Sequence, residues 1–345
     1  MSSTEHKALI LPAKGSPLEL ITRPTPTPGP GELLIEVKAI AFNPVDYYQR
    51  DFGFPAVNYP AVIGSDIAGT VISVGSSVPS DAPKPGSRVA AFAITFFKQG
   101  DPDYGAFQQR VIVPAANVVE LPQKISFTEA SLLPMSVETA WAGLNTLGVA
   151  RDTAFTTKDK KGLLVWGASS SIGSAAVQIG RVLGFSVYAT ASTKHHAYLK
   201  SLGASRTFDY KNEDVVKEIV AAAKEDGITI QQCFHATGDL KSSSEAVKGC
   251  KGEGVGKVGT AVPPNADSPK VEDVEVTFVM MPEDEKDRLE FTHFIFGVWL
   301  KEKLATGEFV PSPHIQVVEG GLEGVSKGID ILKAGVSATK IVVEL

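Results

Sequence analysis

The pattern of apolar and polar positions changes character partway along the chain. Up to about residue 122 it is broken into short apolar or partly alternating runs, at residues 7–11, 18–21, 32–41, 60–74, 88–92 and 105–113, with glycine and proline between them. Runs of this length predict strands, and so many in succession predict a β-rich domain. Residues 60–74 are long enough to predict a pair of strands. Residues 23–31 carry four prolines, which lack a backbone donor, so this stretch is expected as an extended surface connection. Residues 42–50 read as a loop entering a short helix, and residues 126–147 as a helix broken or kinked at Pro134.

From Gly162 the pattern alternates. Residues 162–166 form an apolar run; then Ile172, Ala176, Val177, Ile179 and Val182 recur at helical spacing, and residues 185–189 are apolar again. A helix at 193–202, a strand at 206–209, a helix at 214–224 and strands at 232–236, 257–262 and 274–281 continue the series. Such alternation predicts right-handed βαβ units in a doubly wound parallel sheet, hence an α/β fold. A helix near 287–304 and a strand at 340–344 follow, and these are expected to return to the first domain. The expected division is 1–122, 123–282 and 283–345.

Composition narrows the function. The chain has 345 residues, enough for two domains with sizeable cores. A net charge of −6 and the absence of a basic run argue against nucleic acid as a partner. No apolar run is long enough to predict a membrane span. Residues 1–6 lack the basic and apolar regions of a secretory leader. Cys233 and Cys250 are the only cysteines, which fits a reducing compartment and cannot build a four-cysteine zinc site. The expected location is cytoplasmic.

The candidate chemistry begins at the turn between residues 166 and 174. Gly167, Ala168, Ser169, Ser170, Ser171, Ile172 and Gly173 form a small-residue link from a strand to a helix. There, backbone amides and the positive end of a helix can meet a pyrophosphate. Of the three glycines of the dinucleotide fingerprint only Gly173 is present; Ala168 and Ser170 stand at the others, and Gly167 lies just upstream. The Ser170 hydroxyl is expected to be able to donate to a phosphate. The alternative is an ordinary strand-to-helix turn. At the end of the next strand, where NAD-binding proteins place an acid for the ribose, residues 188–194 carry none. Ser192 and Lys194 suit the additional phosphate of NADP instead.

Taken together, Pro28-Gly29-Pro30-Gly31-Glu32, Asn43-Pro44-Val45-Asp46, Gly64-Ser65-Asp66-Ile67-Ala68-Gly69, Pro134 with Thr139-Ala140, the 167–173 turn and Lys340-Ile341-Val342 resemble the medium-chain dehydrogenase/reductase superfamily. Within it the chain resembles the zinc-independent quinone and enoyl reductase branch. The resemblance implies a GroES-like β-rich catalytic domain built from both chain ends, a Rossmann domain inserted between them, and a cleft that separates the two. It implies cofactor contacts by Thr139, and a clasp on the NADP phosphate by Lys194 and Tyr210. Otherwise Thr139 is a buried helix threonine, Lys194 a solvated helix residue and Tyr210 a strand-end aromatic.

Zinc members of the superfamily carry a cysteine at the position of Asn43 and a histidine–glutamate pair within 64–69, where this chain has Ser65 and Asp66. No catalytic zinc is expected. Adjacent His195 and His196 do not converge on a helix and read as a solvated pair. Without a metal, a side chain must stabilise the enolate that forms when hydride reaches an enone. Asn43 is the candidate amide donor, and Tyr48 stands at the branch's active-site tyrosine. Asn43-Pro44 is equally a turn pair, and Asp46 a helix cap. Mitochondrial enoyl reductases use a tyrosine where this chain has Phe54.

The expected activity is NADPH-dependent hydride transfer to an enone, a quinone or an enoyl thioester, by a monomer or homodimer. Fungal trans-acting enoyl reductases share the serine-rich turn, and that reading adds a polyketide synthase as partner. A third reading is an NADPH-binding protein with little turnover. Phe52, Phe54, Phe96, Phe97 and Trp299 either line an apolar acceptor pocket or fill a core.

Overall fold

The computed structural model describes residues 4–55 and 57–345, so the first three residues of the segment read for a leader lie outside the described residues. Strands β1 (Glu5–Ile10) and β2 (Glu19–Pro24) pair antiparallel. β3 (Glu32–Ala41) follows the proline-rich connection. It leads into the single turn α1 (Pro44–Tyr47), with Pro44 at a position that needs no amide donor. The chain continues as a π-helical turn, Tyr48–Phe52. Next come β4 (Asp66–Val74), β5 (Arg88–Phe92), β6 (Arg110–Pro114), β7 (Val118–Glu120), α2 (Phe127–Ala130) and α3 (Pro134–Thr146).

The alternating region consists of β8 (Lys161–Trp166), α4 (Ser171–Val182), β9 (Ser186–Thr190), α5 (His196–Leu202), β10 (Arg206–Phe208), α6 (Val215–Asp226), β11 (Thr229–His235), α7 (Leu240–Cys250), β12 (Gly256–Thr260) and β13 (Val274–Phe278). The chain ends in α8 (Glu285–His293), a π-helical stretch Phe294–Leu300, α9 (Lys301–Thr306), β14 (His314–Val317), α10 (Val325–Ala334) and β15 (Thr339–Glu344). No helix among the described residues is long and apolar enough to cross a membrane.

Two compact units result: Met1–Met135 with Glu283–Leu345, and Ser136–Pro282. In the first, a sheet runs β14-β15-β3-β4-β5-β7, with β6 also on β3. β3 lies inside it because Leu33, Ile35, Val37 and Ile40 bury against Ile67, Val71, Val89, Val111 and Ile341. In the second, a parallel sheet runs β10-β9-β8-β11-β12-β13, the doubly wound order in which the chain reverses direction beside β8. Its core joins Leu164, Tyr188, Ile219, Cys233, Val247 and Val258. Cys233 and Cys250 are free and buried. The α/β class expected from the pattern, a β-rich unit with a doubly wound parallel sheet, is the one observed.

Three local expectations differ from the structure. Residues 60–74 hold one named strand, β4, preceded by a single bridge between Ala61 and Leu11. Gly64 breaks the ladder: its φ is +91°, and the Phe107 ring fills the space where a Cβ would sit, 2.3 Å away. The helix expected over 126–147 is two, because Pro134 has no amide to continue α2 and disfavours helical backbone at Leu133. The first unit runs past residue 122 to Met135. Phe127 of α2 packs on Ala39, Ala41, Leu132 and Val342, which keeps this segment with the β-rich sheet.

Candidate functional site

In the second unit, β8 is buried along Gly162–Trp166 and delivers Gly167 to the carboxyl edge of the sheet. Gly167 adopts φ +74°, and a Cβ there would lie 2.8 Å from the Thr237 carbonyl oxygen, so the position requires glycine. The Gly167 amide donates to Thr190 Oγ1 at 3.0 Å and the Ala168 amide to the Thr190 carbonyl at 2.9 Å, which ties the turn to the end of β9. Ser170 caps α4: its Oγ accepts the Gly173 amide at 3.1 Å and donates to the Gly167 carbonyl at 2.8 Å. The hydroxyl expected to donate to a phosphate donates here within the turn.

A Cβ on Gly173 would lie 2.5 Å from the Gly167 carbonyl oxygen and 2.8 Å from Ala168 Cα. Only a glycine lets α4 start this close to β8. Ala168 and Gly173 are buried, while Gly167, Ser169, Ser170, Ser171 and Ile172 remain half-exposed. A twelve-residue helix opening onto a turn without bulky side chains fits a dinucleotide pyrophosphate.

Next to the turn, β9 ends at Thr190 and a short 3-10 turn, Thr193–His195, follows. Asp209, just past β10, accepts the Thr193 amide at 3.1 Å and the Thr193 hydroxyl at 2.6 Å, and also takes the Lys211 amide at 3.0 Å. The Thr193 hydroxyl holds its carboxyl below the usual range. An acid thus lies near the end of β9 after all, one strand over, with its oxygens on protein donors. Ser192 is half-buried, Lys194 is exposed and Tyr210 is 47% exposed. Lys211, which the sequence reading missed, has its Nζ 6.0 Å from the Tyr210 ring centre, so two lysines and a phenol occupy this edge. His196 is no solvated partner of His195: its Nε2 lies 3.0 Å from the Ala191 carbonyl.

Thr139 is half-buried on α3, one turn before Gly143. The missing side chain of Gly143 admits the Phe234 ring of β11, 2.3 Å from the Cβ position, and seats α3 on the same sheet.

In the first unit, Asn43, Asp66 and Lys340 converge. Ala41 of β3 is opposite Asp66 of β4 on one side and Val342 of β15 on the other, so this register brings the three residues together. Lys340 Nζ donates to Asn43 Oδ1 at 2.6 Å and to Asp66 Oδ2 at 2.9 Å, and Asn43 Nδ2 donates to the same Asp66 oxygen at 2.9 Å. Asp66 Oδ1 accepts the Met135 amide at 2.7 Å. Exposure is 4%, 0% and 3% for Asn43, Asp66 and Lys340. Asp46 takes the Asn43 amide at 2.7 Å on one oxygen, while its other oxygen has no partner among the described residues. Burial pushes its carboxyl up to about 7.

This donor set does not fit zinc. An ammonium already sits against the one carboxylate and the amide, and a dication there would face a positive charge with no thiolate or imidazole to bind it. Among the described residues no three of His, Cys, Asp and Glu gather as metal ligands.

Tyr48 opens the π-helical turn and is 38% exposed. Its ring meets Tyr47 edge-on at 4.4 Å and Phe52 at 6.4 Å. Burial and a hydrogen bond with Tyr48 push the Tyr47 phenol up to about 12. Asn43 and Tyr48 therefore share a unit but differ in setting, one locked in a buried network and the other open. Of the aromatics read as pocket or core, Phe52, Phe54 and Phe97 are exposed, Phe96 is half-buried, and Trp299 is core, packed against Phe309 at 5.6 Å.

Comparison with known proteins agrees with this anatomy. Residues 29–123 match the alcohol dehydrogenase GroES-like domain and residues 171–280 the zinc-binding dehydrogenase family. The chain is 46% identical over 343 residues to the trans-enoyl reductase tndF of Aspergillus flavipes, covering 99% of each. It is 47% identical over 286 residues to the trans-enoyl reductase tazE of Aspergillus terreus, covering 82% of this chain and 94% of that one. Among solved structures, a putative zinc-dependent alcohol dehydrogenase from Rhizobium etli CFN 42 shares the fold with a TM-score of 0.80, at 24% identity over 99% of this chain and 98% of that one. A β-rich unit built from both chain ends, an inserted nucleotide-binding sheet and relatives matched along nearly the whole length lead to one conclusion: the chain belongs to the medium-chain dehydrogenase/reductase superfamily, in its enoyl reductase branch, and is an oxidoreductase that uses a pyridine nucleotide.

Proposed function

We propose that the protein is an NADPH-dependent, zinc-independent enoyl reductase that acts in trans on an α,β-unsaturated thioester carried by a polyketide synthase. The observation that carries the choice of NADPH is the exposed edge formed by Lys194, Tyr210 and Lys211, beside a β9 end that offers no acid to a ribose. Two cations suit a phosphate monoester, and Asp209 is turned onto the Thr193 and Lys211 amides. The kinship with two trans-enoyl reductases supports the thioester and the partner synthase.

Bound NADPH supplies the hydride. In this reading Gly167, Ala168, Ser169, Ser171, Ile172 and Gly173 hold its pyrophosphate, Thr139 contacts it from α3, and Ser192 joins the phosphate edge. Hydride arriving at the β-carbon leaves an enolate, so the chain must supply a hydrogen-bond donor at oxygen and a proton. Asn43 is the donor through its amide, and the Tyr48 phenol is the proton source. With no metal to polarise the carbonyl, these two side chains carry that part of the chemistry.

The test is oxidation of NADPH and NADH in the presence of simple enones, quinones and 2-enoyl thioesters. The expected result is turnover with NADPH, fastest on the thioesters. Turnover on enones and quinones alone would move the reading to a free-standing quinone or enone reductase. Tight NADPH binding without turnover on any class would make the protein a nucleotide-binding component.

A further inference from the structure

We propose that Lys340 is a positioning residue for the reduction, a buried cation that fixes the orientation of Asn43 and polarises its amide. The inference rests on the reading of Asn43 as the donor to the enolate oxygen. An asparagine amide can ordinarily flip, since its two ends are similar in size. Here it cannot. Lys340 Nζ is a pure donor 2.6 Å from one end, and Asp66 Oδ2 a pure acceptor 2.9 Å from the other. Oxygen must face the ammonium and nitrogen the carboxylate. Nδ2 carries two hydrogens; one goes to Asp66, and the second has no acceptor among the described residues.

The ammonium also draws charge through the amide. A hydrogen bond donated into the carbonyl of an amide strengthens donation from its nitrogen, and the effect is greater where water is excluded. Lys340 and Asp66 are 3% and 0% exposed. A metal placed in such a site acts on a substrate oxygen directly; this chain keeps its positive charge one amide away.

Stability does not explain the arrangement. A buried ion pair is often matched or bettered by well-packed apolar residues, so its presence here asks for another role.

The experiment is a kinetic cycle on the full chain with NADPH and a 2-enoyl thioester. Lys340→Met strands Asp66 as an unpaired buried charge and can unfold the protein. The working variant is therefore the charge-neutral pair Asp66→Asn with Lys340→Met, beside Lys340→Arg, Asn43→Ala and the triple variant that adds Asn43→Ala. Loss of the polarised donor is expected to lower kcat by about a hundredfold, the lower end of the range known for a single oxyanion donor. The dissociation constant of NADPH, read by its fluorescence, stays within twofold, and Lys340→Arg recovers part of kcat. In the Asn43→Ala background the neutral pair costs no further kcat. A neutral pair with wild-type kcat, or a penalty that simply adds to that of Asn43→Ala, overturns the proposal. If the wild type itself reduces no thioester, the functional reading falls and takes this inference with it; an active wild type with unaffected variants removes this inference alone.

Discussion

Asp209 holds Thr193 by both its amide, at 3.1 Å, and its hydroxyl, at 2.6 Å, and so sets the turn that presents Lys194. In the proposed reading the carboxylate organises the edge that meets the NADP phosphate instead of opposing it. Lys194→Ala is expected to raise the NADPH dissociation constant about tenfold, the scale of one charge-assisted hydrogen bond, while NADH binding stays unchanged. Asp209→Ala should weaken NADPH several-fold by loosening the turn. Titration of both nucleotides by fluorescence checks this, and equal loss for NADH and NADPH would show that the edge does not read the phosphate.

The turn itself separates two roles. Gly173→Ala places a Cβ 2.5 Å from a backbone oxygen that cannot move, and nucleotide binding should be lost. Ser170→Ala removes a helix cap and should cost about 1 kcal/mol of stability. NADPH binding should stay within a few-fold of wild type, because the hydroxyl was bonded to Gly167. Thermal melts and binding on the same pair of variants decide it.

Tyr48→Phe keeps the ring contacts with Tyr47 and Phe52 and removes only the phenol oxygen. If that oxygen gives the proton, kcat on a 2-enoyl thioester falls by about a hundredfold, a usual scale for general acid catalysis. NADPH affinity should not move. Full turnover by the variant would take Tyr48 out of the mechanism.

Asp46 links stability to pH. Its folded value of about 7 lies above the ordinary 3.8, so the folded chain keeps a proton that the unfolded chain releases. The stability this group contributes is complete below about pH 4 and is lost as pH rises through about 7. Asp46→Asn stays uncharged at every pH and can still accept the Asn43 amide. Its melting temperature relative to wild type should therefore rise between about pH 4 and pH 7 and level off above that. A constant difference across the range would show that Asp46 titrates normally in the folded protein.

How much of this was legible in the sequence depends on how local each feature is. The bounds of β3 could be read at residues 32–41, because its burial shows directly as an apolar run. The strand–turn–helix at Gly167–Gly173 was legible for the same reason. β14, His314–Val317, was not expected: all four residues are exposed, so no alternation marks it, and its pairing with β15 alone makes it a strand. The role of the Ser170 hydroxyl depends on a carbonyl three residues back, which spacing alone does not reveal. Lys340 was noted only as part of a terminal motif; its partners lie across the sheet and become visible only with the register of β3, β4 and β15. Lys211 was missed because nothing in its neighbourhood distinguishes one exposed lysine from another.

That register also orders events as the chain is made. Asn43 meets Lys340 across 297 residues of sequence, and although β6 pairs with the Glu32–Glu36 end of β3, the Ala39–Ala41 end has no partner on that side until β15 exists. The nucleotide-binding unit, Ser136–Pro282, is one uninterrupted stretch that is complete well before. At ordinary rates of synthesis the interval between Asn43 and Lys340 is roughly 15 to 60 s. Through that time the nascent β-rich half carries an open sheet edge and an acid, Asp66, without its cation, so a chaperone or a pause in translation has the most to protect there, on the half that holds Asn43 and Tyr48.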